Sequence, residues 1–115
     1  MHRDRLIIIK PGFVDPAFPD LRYYCWRCAL MEGVLASFPE LGMRIDVLRV
    51  EWPRPRRQLV ELIGPENKSL PVLILADDAD ETLATGSFEG RRFIEGKDRI
   101  LEALSRRHGI PSPHP

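Results

Sequence analysis

Hydrophobic positions along the chain follow two rhythms. The stretch "RLIIIK" is a short, β-branched apolar run closed by Pro11 and Gly12, which predicts a first strand buried on both faces. Cys28, Met31, Val34, Leu35 and Phe38 then recur at three- and four-residue spacing, placing them along one face of a helix that starts at the cysteines and is ended by Pro39 and Gly42. Between strand and helix, Pro11 to Tyr24 shows no periodicity. It holds Pro11, Pro16 and Pro19 with the exposed-looking Phe13, Val14 and Phe18, and its length inside a compact domain predicts a functional loop.

The second half repeats the alternation. "MRIDVLRVEW" sets Met43, Ile45 and Val47 against Arg44 and Asp46 and predicts a second strand, stopped by Pro53 and Pro55. Leu59, Leu62 and Ile63 mark a short helix ending at Gly64 and Pro65, with Arg54, Arg56 and Arg57 at its front. Three cations there oppose the helix dipole; a solvated face is the commoner reading and an anion site the sharper one. "SLPVLILAD" predicts a third strand, "SFEGRRFIEG" an edge-like strand or hairpin arm, and "KDRILEALSRRHG" a last helix with Ile100, Leu101 and Leu104 inward. Helices connecting strands predict an α/β layer fold with the most apolar strand, the first, at its centre and the arginine-rich last strand at its edge. The expected organisation is one domain over 1–110 and a flexible proline-rich tail over 111–115.

Composition changes this picture little. At 115 residues and 43% hydrophobic content the chain can bury a core without disulfide or metal staples. Seventeen Lys plus Arg balance seventeen Asp plus Glu, so no polyelectrolyte argument favours nucleic acid or a membrane surface, and neither is expected as a partner. The apolar run Leu6 to Ile9 is too short for a signal peptide or a spanning helix, which makes a cytoplasmic home the expectation.

In a reducing compartment the only cysteines, Cys25 and Cys28 of "YYCWRCAL", suit catalysis or metal binding better than a structural disulfide. A sulfur at the first turn of a helix faces unpaired amides and the positive dipole end, where thiolate charge is stabilised. Arg22 and Arg27 flank Cys25 and would add to that field. Cys28, one turn on and on the apolar face, would be the resolving thiol. A zinc site would need two more ligands, and His2, His108 and His114 lack metal-site spacing, so no metal is expected. Tyr23, Tyr24 and Trp26 read either as an apolar platform for a substrate or as ordinary rim packing.

A CxxC between an apolar first strand and an amphipathic helix resembles the thioredoxin superfamily, and the length resembles its glutaredoxin branch. The likeness covers nearly the whole chain. It implies a single thioredoxin-like α/β domain with a four-stranded mixed sheet and about three helices. It also implies that Pro71, at the head of "SLPVLIL", is a cis-proline that with Leu70 positions the partner. "FIEGKD" looks like the glutaredoxin stretch that holds glutathione's γ-glutamyl end, which implies roles for Gly96, Lys97 and Asp98. Trp26 and Arg27 depart from the usual proline-aromatic dipeptide, the loop before Cys25 is longer, and the usual lysine ahead of the first cysteine is absent. These departures fit an uncharacterised, domain-of-unknown-function side family. The activity implied is thiol-disulfide exchange with a protein or glutathione disulfide, glutathione serving as co-substrate with no resident cofactor. The alternative is a binding or adaptor module with vestigial redox chemistry. Two chains could also share an iron-sulfur cluster through Cys25, as in some glutaredoxins, and the oligomeric state stays open.

Overall fold

The computed structural model describes residues 2–66 and 69–115; Met1, at the head of the expected domain, lies outside them. The elements are β1 (Arg5–Ile9), β2 (Phe13–Asp15), β3 (Phe18–Tyr23), α1 (Trp26–Ser37), α2 (Leu41–Arg44), β4 (Asp46–Val50), α3 (Arg57–Ile63), β5 (Val72–Ile74), β6 (Gly86–Phe88), β7 (Arg91–Glu95) and α4 (Lys97–His108). The main sheet has the order β4-β1-β5-β7-β6. β1 runs parallel to β4 and antiparallel to β5, and β7 runs antiparallel to both β5 and β6.

Both faces of this sheet are covered, which is why its inner strands read as unbroken apolar runs. On one face Leu6, Ile8, Leu73 and Ile94 pack with Cys28 and Met31 of α1 and Ile100 and Leu104 of α4. On the other, Ile7, Val72, Ile74 and Phe93 pack with Leu59 and Ile63 of α3. The period-two alternation of β1 thus splits consecutive isoleucines between two cores.

Several expectations are corrected. Among the described residues the main sheet has five strands rather than four, and there are four α-helices rather than about three. β5 occupies the centre with β1 beside it, because a second antiparallel pair, β7 and β6, extends the far side. For the same reason the arginine-rich β7 is internal and β6 is the edge. Met43 belongs to α2, so β4 starts only at Asp46. The segment from Pro11 to Tyr24 is not an irregular loop but carries the antiparallel pair β2 and β3, with a register shift between Val14 and Asp15. Residues 18 to 22 of β3 are exposed, so no buried face imposed an alternation on the sequence.

The start of β1 is tied to the end of α4. Asp4, 1% exposed, accepts at Oδ1 from the Ala76 amide at 2.7 Å and from Arg107 Nη2 at 2.9 Å. Its Oδ2 accepts from Arg107 Nε at 2.6 Å and faces His108 Nε2 at 2.7 Å. Burial pushes this carboxyl up, but the bonds from His108, Arg107 and Ala76 outweigh it and hold it at about 2.

Candidate active site

The turn from β3 into α1 builds the site. Cys25 is the N-cap of α1, with extended backbone at φ −76° and ψ 112°, and its Sγ accepts the Cys28 amide hydrogen at 3.3 Å. A sulfur fills the place usually held by a Ser or Asp oxygen, satisfying an amide the helix leaves open. Cys28 sits one turn on, 2% exposed, its Sγ accepting the Ile9 amide of β1 at 3.4 Å. Both cysteines are free thiols, Cys25 half-buried and Cys28 buried.

Their environments differ. Burial first, and the side-chain hydrogen bond with Cys25 second, push the Cys28 thiol up to about 12, against the opposing bond from the Ile9 amide. Cys28 therefore keeps its proton at neutral pH. Both cysteines line an open cleft of about 350 Å³ with Pro11, Gly12, Arg22, Tyr23 and Tyr24, and Cys25 is the less buried of the two.

The expected site residues separate into those the fold brings together and those it does not. Arg22 stands at the cleft wall, donating from Nη1 to the Gly12 carbonyl at 3.3 Å. Trp26 is 55% exposed on the first turn of α1, and the Arg27 guanidinium lies over its ring, 4.2 Å from the centroid. Tyr24 is 63% exposed. Leu70 packs against both cores, and the Leu70–Pro71 bond is cis, as the likeness implied. Gly96, Lys97 and Asp98 form the start of α4, Lys97 Nζ bonding Asp98 Oδ1 at 2.9 Å. None of Leu70, Pro71, Gly96, Lys97 and Asp98 lines the cleft.

One arginine is buried where the sequence gives no sign of it. The sequence groups Arg56 with Arg54 and Arg57 on a solvated face or, more sharply, at an anion site, yet Arg56 is only 9% exposed, its Nε donating to the Trp52 carbonyl at 3.0 Å. Burial lowers its pKa, as does Arg54, while the sulfurs oppose that shift. Three arginines in four positions give no sign of which turns inward. The nearest signal is the rigid, apolar connection of Trp52, Pro53 and Pro55 around it. Trp52 stacks on Phe13 with centroids 5.1 Å apart and planes at 5°, pinning the β2–β3 hairpin to the body beside the cysteines.

Across the cleft, Glu32 is held in a two-pronged pair by Arg49, at 2.9 and 2.7 Å, and Arg49 keeps that carboxyl below its usual range. Among the described residues no group of three or more His, Cys, Asp or Glu could hold a metal ion, and no helix is long and apolar enough to cross a membrane.

Fold and site together define an α/β protein with a mixed sheet and a pair of thiols at a helix start. A family model described as "Protein of unknown function (DUF3088)" matches residues 3–112, and the chain belongs to that family. No curated protein and no solved structure matches it.

Proposed function

We propose that this protein is a thiol-disulfide oxidoreductase of thioredoxin-like build, Cys25 exchanging with the partner and Cys28 resolving. The observation that carries the reading is the unequal pair: a half-buried sulfur capping α1 at an open cleft, and a buried, protonated one a single turn behind it. Cys25 attacks a disulfide sulfur, expelling the partner's other sulfur. Cys28 then attacks Cys25 Sγ and surrenders its proton, releasing the partner as a thiol and leaving a Cys25–Cys28 disulfide. The order of elements around the cysteines supports the thioredoxin-like build. Glutathione disulfide and protein disulfides both suit such a site as substrates.

The test is oxidation across a series of glutathione redox buffers, quenched by alkylation and read by intact mass. Wild type should lose two protons reversibly. Cys25→Ser should lose all exchange, whereas Cys28→Ser should accumulate a mixed disulfide at Cys25. Thiols that stay alkylatable throughout would overturn the reading.

A second reading rests on the exposed apolar side chains near the cleft. Phe18 and Leu21 are each 64% exposed, and Tyr24 and Trp26 lie beside Cys25. Such a rim also suits a binding module whose thiols are incidental. Partner capture that survives Cys25→Ser but not Leu21→Ser would favour it.

A further inference from the structure

The β2–β3 hairpin leaves a strand edge open. Among the described residues the small sheet holds these two strands alone, so the outer side of the exposed strand β3 carries no neighbour. The Tyr23 carbonyl accepts the Gly12 amide hydrogen at 2.8 Å, on the β2 side, and by strand alternation the Arg22 amide and carbonyl face outward. The register passes from Phe18 opposite Asp15 to Arg22 opposite Val14, so Pro19, Asp20 and Leu21 have no partner residue on β2 either. An open edge of this kind is a template for another strand.

The residues along that edge, "FPDLRYY" from Phe18 to Tyr24, are complementary to themselves read in reverse. With Leu21 set opposite Leu21 of an antiparallel second copy, Asp20 faces Arg22, Pro19 faces Tyr23 and Phe18 faces Tyr24, each pair occurring once on either side of the axis. Unlike charges and aromatic pairs directly opposed favour such a register, whereas opposed like charges resist it. Neither Asp20 nor Arg22 has an ion-pair partner among the described residues of its own chain. Pro19, which has no amide hydrogen, falls where the alternation turns the backbone back toward β2, so the new ladder does not need it as a donor. Phe18, Leu21 and Tyr24 are the large exposed side chains that the pairing would cover.

We propose that this edge is the contact of a two-fold homodimer, β3 pairing antiparallel with β3 of a second copy about Leu21. A two-fold contact makes every interaction twice, so it needs a surface complementary to itself, and the charge order of this strand supplies one. A strand of six residues is a small contact by the standard of about 800 Å² per partner in stable complexes, so monomer and dimer exchange with concentration. The pairing also reaches the cleft. Tyr24 lines it beside Cys25, and Phe18 of the second copy stands opposite Tyr24, adding an apolar wall to each of the two clefts. The dimer does not depend on the thiol-disulfide reading above.

The experiment is sedimentation equilibrium of the full chain with its thiols kept reduced, from about 1 to about 500 µM, the range in which a small interface titrates. The mass should rise from 13.2 kDa toward twice that value. Asp20→Arg and Arg22→Asp each oppose like charges at both pairs and should weaken the dimer about tenfold. Mixed in equal amounts, the two single variants should associate with each other, since every opposed pair is then unlike. The double variant Asp20→Arg, Arg22→Asp should dimerise as wild type does. Thermal melts establish that each variant is folded, and a damaged hairpin would not be repaired by mixing. A wild type that stays monomeric throughout would overturn the dimer and leave the edge to an extended segment of another protein. Single reversals that dimerise like wild type, or that fail to associate on mixing, would overturn the pairing about Leu21.

Discussion

Asp4 shows what one side chain contributes when every lone pair is engaged. Its two oxygens meet Ala76, Arg107 and His108, all within 2.9 Å. Asp4→Asn keeps the shape but leaves the part-buried Arg107 guanidinium facing an amide, and it should cost about 3 kcal/mol, read from denaturant midpoints. The pH dependence follows from the carboxyl's displacement from 3.8 to about 2. The folded state binds the proton less readily than the unfolded state, so this contribution is complete above about pH 4 and is lost as pH falls toward 2. It amounts to about 2 kcal/mol and should vanish from the acid limb of Asp4→Asn. Cys28 works in the opposite sense. Its thiol is raised from 9.0 to about 12, so stability should decline as pH climbs through that interval, and less so in Cys28→Ala.

Elements with a buried face were legible in the sequence, and elements without one were not. β1 and β5 announced themselves as apolar runs, and α1 and α4 by helical spacing, since burial had selected those side chains. The β2–β3 hairpin carries Pro16 and Pro19 and exposes most of β3, so its pairing left no hydrophobic trace. The cysteines were legible because they stand together at a helix start, whereas the burial of Arg56 is set only by the tertiary fold. β6 is set by close approach rather than by pattern: a Cβ at Gly86 would lie 2.7 Å from Cζ of the Phe93 ring. Phe93 is 1% exposed and cannot yield freely, so Gly86→Ala should destabilise the protein by about 1–3 kcal/mol, measured by thermal melting. Retention of the wild-type midpoint would mean that the ring has room to move.

At the scale of the whole molecule, a covered sheet carries the thiol site at one end of β1 and the Asp4 cluster at the other. Asp4 precedes β1, and Ile9, which closes it, donates to Cys28. Removing 112–115, all exposed, should leave the melting transition near that of the full chain. Removing everything from Arg107 onward should lower it by at least the cost of Asp4→Asn, because both side-chain partners of that carboxylate go. Equal melting of the two truncations would mean that the cluster adds little. The bond between Asp4 and His108 spans 104 positions of sequence, so a nascent chain emerging from the ribosome presents Asp4 long before its partners exist. Until α4 arrives, β1 has a charge at its base with nothing to neutralise it. Closure of this part of the fold thereby waits until α4 has been made, and the thiols are exposed to the surrounding redox buffer before the mature site has formed around them.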